Sequence, residues 1–389
     1  MQKVILLSFG MFALGLDAYV IAGLLPLMEA DFRLNTSQMG QAVSVFTLCY
    51  ALAAPIFATL LAGKPVRRTL LIALAVFTVA NAVTAIAPNF TLLLLSRALA
   101  GIGAGLYSPL AAAAAASLVA PEMRGRALGT TLGGMSMGTV IGVPVGLLIA
   151  EQVGWRGTLW VITALGIVAI VGILLRFPDF PLSAPPGLRQ RLSMMANGRV
   201  AAIVGITFLT SVASLGLYTY VSSILQELAG IQNITAYLWA WGIGGVVGSL
   251  FIGSLIDRTK KPGILMAGIL TIMAIAMFSL PFSLHYALLG FIPFFLWGVT
   301  GWASQAPQQH TLLQLQPQQG ASAVALNSSA NYLGSSVGAS LGGAVLLIGI
   351  TPSQLPYLAG VVVAAALIGQ GLLLSRRKVE KEQAAEFHQ

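Results

Sequence analysis

The chain has 389 residues, of which 57% are hydrophobic and 8% charged, with a formal net charge of +9 and a mean hydropathy of +0.89. A soluble domain carries about 25% charged residues, so this composition excludes a water-soluble globule and points to a chain dissolved in a bilayer. One cysteine, Cys49, excludes a disulfide framework, and three scattered histidines make no metal site.

Read for length, the apolar stretches predict twelve helices, at about 4–28, 38–62, 69–88, 91–112, 127–150, 157–176, 200–227, 233–256, 262–283, 286–306, 322–348 and 353–375. Each is near the ~20 residues that cross ~30 Å of hydrocarbon, and backbone in lipid must bond to itself, which favours helices. The apolar core of the first stretch is longer than a signal-peptide core of about 7–15 residues and no small-x-small site closes it, so it is expected to stay as the first span. The amino terminus and alternate loops hold Lys3, Lys64, Arg67, Arg68, Arg124, Arg126, Arg176, Arg189, Arg191, Arg199, Arg258, Lys260, Lys261, Arg376, Arg377, Lys378 and Lys381, seventeen of the twenty basic residues. Arg33 and Arg156 fall on the other side. This asymmetry predicts an integral protein of a bacterial cytoplasmic (inner) membrane with both termini inside, and argues against nucleic acid as the partner of the positive charge.

In chain order, the first span carries Asp17 at its centre, followed by Tyr19, Ile21 and Gly23-Leu24-Leu25-Pro26. The second holds Tyr50 and ends in Thr59, Gly63, Lys64, Val66, Arg67 and Arg68. The fourth contains Arg97-Ala-Leu-Ala-Gly101-Ile-Gly103-Ala-Gly105, which puts Arg97, Gly101 and Ser108 on one helical face. An ionisable group inside a span costs at least a few kcal/mol and marks a site. Asp17 and Arg97 are therefore the first candidates, either as a titrating pair or as a structural salt bridge. Burial in hydrocarbon favours the neutral carboxyl, whereas a nearby guanidinium favours the ionised one.

The fifth span carries Gly129, Met135, Gly138, Gly142, Pro144 and Gly146. A polar linker at 177–199 then separates an amino-terminal bundle, 1–176, from a carboxy-terminal bundle, 200–375, with a tail at 376–389; 188–195 reads as a short amphipathic surface helix. Gly134, Gly138 and Gly142 recur as Gly334, Gly338 and Gly342, and Arg97-x-x-x-Gly101 as Trp297-x-x-x-Gly301, both 200 positions later. Repeated halves around a midplane site are typical of secondary transporters, although glycines spaced by four also let any two helices pack closely. The carboxy-terminal spans have no deep charge. They offer Phe208, Ser211, Ser214, Tyr218, Phe294, Trp297, Asn327 and Asn331, with Tyr237, Trp239 and Trp241 read as interfacial anchors. After the eighth span comes Gly253-x-x-x-Asp257-Arg258.

These patterns together resemble the major facilitator superfamily, in its twelve-helix drug:proton antiporter and sugar-efflux branch, over about residues 4–375. Arg97-x-x-x-Gly101-x-Gly103 is similar to that branch's R-x-x-x-G-x-G motif, whose arginine is implicated in proton coupling. Gly129, Gly138, Gly142 and Pro144 resemble its antiporter pattern, with the proline shifted by one and the final glycine pair lost. Gly253, Asp257 and Arg258 fit its loop signature, which supports a latch between helices; the loop after the second span has lost the aspartate, leaving Arg67 and Arg68 as topology anchors.

The resemblance implies an all-α integral membrane fold of two pseudo-symmetric six-helix bundles. It implies no enzyme but a monomeric, proton-coupled exporter of small amphipathic or lipophilic compounds, with no cofactor and the proton gradient as energy source. A sugar, nucleoside or other metabolite is the alternative cargo. No G-x-x-x-x-G-K-[ST] cradle suggests nucleotide-driven transport, and nothing suggests a sensor or membrane enzyme. Asp17 and Arg97 are expected to carry proton coupling. Tyr19, Ile21, Tyr50, Gly101, Met135, Phe208, Ser211, Tyr218, Phe294, Trp297, Asn327 and Asn331 are expected around the substrate cavity. Gly129, Gly138, Gly142, Pro144, Gly253, Asp257 and Arg258 are expected to serve conformational change. The cavity should then be charged on its amino side and aromatic on its carboxy side, so that a proton and a lipophilic cation compete for Asp17.

Overall fold

The structure, a computed structural model, describes residues 1–60, 64–181, 188–286 and 288–386. Gly63 of the first loop signature, the 182–187 part of the linker and His388 lie outside the described residues. The helices are α1 (Gln2–Phe32), α2 (Thr36–Leu60), α3 (Val66–Ala85), α4 (Phe90–Ser117), α5 (Arg124–Met137), α6 (Val143–Arg176), α7 (Leu188–Ser193), α8 (Gly198–Thr219), α9 (Val221–Ala229), α10 (Thr235–Thr259), α11 (Pro262–Ser283), α12 (Phe291–Ala303), α13 (Gln305–Leu315), α14 (Gly320–Leu347) and α15 (Leu355–Glu386).

Eight stretches of the described residues are long and apolar enough to cross a membrane. One of them, Arg124–Arg176, turns back at Gly154, whose φ of 79° suits glycine, and so accounts for two crossings. With α2, the α12–α13 pair and α14 the total is twelve. The chain therefore begins and ends on one face, called here the terminal face, opposite a far face.

Local chemistry sets the ends. Asn89 caps α4 by accepting from the Leu92 amide at 2.9 Å, and α11 opens with Pro262, whose missing N–H costs nothing in a first turn. Between α5 and α6, residues Gly138–Gly142 form a π-helical turn. Pro144 has no N–H for the carbonyl four residues earlier and its ring crowds that carbonyl, which is an identifiable cause for the widened turn. Several spans differ from expectation. The seventh breaks at Tyr220 into α8 and α9, and the tenth breaks at Ser304 into α12 and α13. The last helix runs to Glu386 rather than ending at 375, because the following residues include no Gly or Pro and are rich in helix formers. The surface helix expected at 188–195 is α7 followed by a 3-10 turn at Met194–Ala196.

The 200-residue repeat is visible in packing. A Cβ on Gly134 or Gly138 would overlap the carbonyl oxygen of Ser8 or Phe12 on α1, and Gly142 faces Leu16. In the carboxy-terminal half Gly334 meets the Phe208 carbonyl, Gly338 the Val212 carbonyl and Gly342 the Tyr220 ring. The first partner series, 8-12-16, thus lies on α1, and the second, 208-212-220, on the equivalent α8 and the break that ends it.

The halves meet along α2 against α14 and along the α5–α6 crossing against α10. Four of their polar contacts lie toward the far face. Ser37 donates to the Gly343 carbonyl at 2.7 Å, Ser336 to the Ser44 carbonyl at 2.8 Å, Ser222 to the Ala22 carbonyl at 3.0 Å, and Asn233 to Glu151 at 2.8 Å. Deeper in, Tyr50 and Tyr332 stack with centroids 3.8 Å apart.

Candidate functional site: a buried ion pair beside a polar cavity

Three helices of the amino-terminal half place a charge cluster in its core. Arg97 Nη1 of α4 donates to Asp17 Oδ1 of α1 at 2.8 Å, with the two side chains 1% and 0% exposed. Asn81 of α3 completes the group. Its amide donates to the Phe77 carbonyl at 3.0 Å and to Asp17 Oδ2 at 3.5 Å, and its Oδ1 accepts from Arg97 at 3.5 Å. The guanidinium lies 4.3 Å from the Phe46 ring centroid, a cation–π contact, and its Nε has no partner. A buried pair of this kind is not a source of much net stability, because desolvation offsets the attraction, but losing one partner is costly. Asn81 escaped the sequence reading. The available signal was an amide inside an otherwise apolar span.

A cavity of about 340 Å³ lies between the halves, with Tyr332 of the Tyr50–Tyr332 stack in its lining. Exposed Leu132 and Ser249 line it at its open end. Of the residues expected there, Tyr19, Met135, Ser211 and Asn331 line it. Tyr50 reaches it only through its stack on Tyr332. The remaining expectations need correction. Ile21 is buried inside its own bundle. Gly101 is where α4 meets α2, with the Phe46 carbonyl in the space of a Cβ. Phe208 packs on the cluster of Val200, Ile203 and Leu326. Phe294 is enclosed between Tyr237 and Trp297, at 5.1 and 5.7 Å. Tyr218 stands behind the wall, 5.5 Å from Tyr19 and 4.6 Å from Trp241. Trp297 is turned away to donate to Ser214 Oγ at 2.7 Å. Asn327 is fully enclosed, with neither amide atom bonded.

Asp17 and Arg97 do not line the cavity, and among the described residues no Asp, Glu, Lys or Arg does, which corrects the expectation of a charged amino side. The reason is helical phase. At 3.6 residues per turn, two residues rotate about 200°, so α1 turns Asp17 into its bundle and Tyr19 toward the cavity. The carboxy side is also more polar than expected. Ser214, Ser249 and Ser304 join Ser211, and Gln305 donates to Asn331 Oδ1 at 3.0 Å. Trp241, read from sequence as an interfacial anchor, is 2% exposed, lines the cavity, and leaves its indole N–H unbonded. Tyr237, read the same way, is buried against Phe291.

Among the motif residues, Gly138 and Gly142 pack on α1 and Pro144 follows the π turn, whereas Gly129 faces open space and serves no close contact. Gly253, Asp257 and Arg258 are exposed, and among the described residues no ion pair engages Asp257 or Arg258. Arg67 is more than a topology anchor. Its guanidinium donates to the Leu174 carbonyl and its backbone N–H to Asp179 Oδ1 at 3.3 Å, tying α3 to the end of α6.

A family model described as Major Facilitator Superfamily matches residues 7–339. The inner membrane transport protein YdhP of Escherichia coli K12 is 28% identical over 364 residues, covering 93% of each chain. A chloramphenicol resistance protein of Streptomyces lividans is 29% identical over 269 residues, 68% of this chain and 69% of that one. Among solved structures, the nucleoside transporter NupG superposes with a TM-score of 0.78 at 13% identity, covering 96% of this chain and all of that one. The E. coli xylose transporter XylE gives 0.75 at 16%, covering 94% and 96%. The twelve spans, the repeated halves with a cavity between them, and these matches lead to one conclusion: the chain belongs to the Major Facilitator Superfamily and is an integral membrane transporter of small molecules rather than an enzyme.

Proposed function

We propose that this transporter is a proton-coupled exporter of small, uncharged amphipathic molecules. It works by alternating access, as a monomer in a bacterial cytoplasmic membrane with both termini inside, and needs no cofactor. The observation that carries this reading is the enclosed Asp17–Arg97–Asn81 cluster, whose Asp17 is on the same helix that presents Tyr19 to the cavity. A proton on Asp17 cancels its attraction for Arg97, and the Asn81 carbonyl oxygen is already at hand as the alternative acceptor. With the pair released, α1 is free to shift, and Tyr19 moves with it against Tyr218 and Trp241 across the boundary between the halves. Coupling then runs through conformation, not through competition for one carboxylate.

The uncharged lining, with hydroxyls, two amides and two indoles, suits a neutral aromatic molecule bearing hydroxyl or amide groups. Export is supported by the Gly138–Gly142–Pro144 pattern and by the resistance named for the Streptomyces relative. The positive-inside rule supports a cytoplasmic terminal face, and on that orientation the open end at Leu132 and Ser249 is the loading side of an exporter. The test is purified protein in vesicles with a trapped pH dye, challenged with gradients of neutral aromatic amides, lipophilic cations and sugars. Proton movement driven by the neutral amides supports the proposal, and a response to cations alone refutes it. A second reading, efflux of a hydroxylated metabolite, is favoured by the Gln305–Asn331 bond and the serine hydroxyls; a response to sugars or nucleosides alone would select it.

A further inference from the structure

Glu29 lies on the last turn of α1, just past the apolar stretch 4–28, and is half-buried at the far face. Its Oε2 accepts from Thr36 Oγ1 of α2 at 3.1 Å. Its Oε1 is enclosed and has no hydrogen-bond partner. Leaving an oxygen enclosed and unmet costs more for a charged group than for a neutral one, and no cation offsets it here: among the described residues no ion pair engages Glu29. The other charged groups at this face are engaged elsewhere, Asp31 by Arg156, Glu151 by Asn233 and Glu227 by Ser353. Arg33, one turn along α1, is exposed.

What stands opposite Glu29 belongs to the other half. Tyr220, at the break between α8 and α9, is within electrostatic reach of it. The Tyr220 hydroxyl donates to the Ala339 carbonyl of α14 and fills the space of a Cβ on Gly40 of α2. Beside Thr36, Ser37 donates to the Gly343 carbonyl at 2.7 Å. Glu29 is therefore set in the seam that closes the far face. Separating the halves there takes Tyr220 away and admits water, which solvates the ionised carboxylate, whereas the closed seam favours the neutral acid.

We propose that Glu29 is a second proton-binding site, separate from Asp17, which holds the far face closed when protonated and favours its opening when ionised. The proposal rests on the alternating-access reading: acid outside then closes the emptied exporter and returns it to the cytoplasm-facing form. The test uses the full-length protein in detergent, in a Cys49→Ser, Asp17→Asn background so that Asp17 cannot supply the response. Spin labels are placed at Ile86→Cys and Ile348→Cys, exposed positions that follow α3 and α14 at the far face of opposite halves. Their separation, measured by pulsed electron resonance between pH 5 and 8.5, should lengthen as pH rises. Glu29→Gln, which mimics the protonated acid, should keep the short distance at every pH. Thr36→Ala removes a donor to the ionised form and should raise the midpoint by about one pH unit, the equivalent of one hydrogen bond; it serves if Glu29→Gln does not fold. A distance that ignores pH, a pH response that survives Glu29→Gln, or an unmoved midpoint in Thr36→Ala would overturn the proposal. Exchange of labelled for unlabelled substrate by Asp17→Asn, which needs no proton, tests alternating access by itself, so either idea can fail alone.

Discussion

Trp297 donates its indole N–H to Ser214 at 2.7 Å, joining α12 to α8 in the carboxy-terminal half, where Arg97 of the other half joins α4 to α1 through Asp17. Trp297 lies 200 positions after Arg97, so one architectural contact has been kept in both halves, as an ion pair in one and as a neutral hydrogen bond in the other. The halves therefore differ in what protonation can do to them. Trp297→Phe removes a bond worth about 1 kcal/mol, whereas Arg97→Gln strands a buried carboxylate at a cost of about 3–5 kcal/mol. Melting in detergent should show the larger loss for Arg97→Gln and partial recovery in the Asp17→Asn, Arg97→Gln double variant. Equal losses for the two single variants would remove the distinction.

Asn81 is expected to hold Arg97 and Asp17 in register. Asn81→Leu should preserve expression and slow proton-driven transport about tenfold, the equivalent of one buried polar contact. Transport at the parent rate in reconstituted vesicles would show that the amide is a bystander.

The glycine ladders set how closely the helices of each half approach. Gly138→Ala and Gly338→Ala push a methyl into the Phe12 or Val212 carbonyl, and each should lower stability by about 1–3 kcal/mol. Gly129→Ala, facing open space, should be neutral or slightly stabilising, since alanine is the better helix former by about 1 kcal/mol. A melting series on the three variants decides it; an equal loss in Gly129→Ala would mean the ladder geometry is not what matters.

The open side of the cavity predicts a labelling pattern. In a Cys49→Ser background, Leu132→Cys and Ser249→Cys should react with a membrane-impermeant maleimide added to inside-out vesicles. Ser37→Cys, buried where Ser37 meets Gly343, should resist reagent from the outside. Labelling of 132 and 249 only from outside would invert the assigned orientation.

Much of the fold was legible because it is written in length and repetition: apolar runs of membrane thickness and two motifs shared at an offset of 200. Asp17 and Arg97 stood out because charge is rare in hydrocarbon. Direction around a helix was harder to read. Ile21, Phe294 and Trp297 were placed in the cavity by type and depth, yet an apolar all-round helix gives no phase, and packing turned them inward. Trp241 was misread because an aromatic near a helix end looks alike whether it faces lipid or a neighbouring half. Asn81 and Gln305 were missed as single amides whose importance depends on what stands opposite them.

The central claim is that Asp17 carries the transported proton. In vesicles loaded with pH dye, a gradient of a neutral aromatic amide should drive proton movement through the parent protein. The same gradient should drive none through Asp17→Asn, although that variant should still exchange labelled for unlabelled substrate across the membrane. Proton movement at the parent rate in Asp17→Asn would contradict the account.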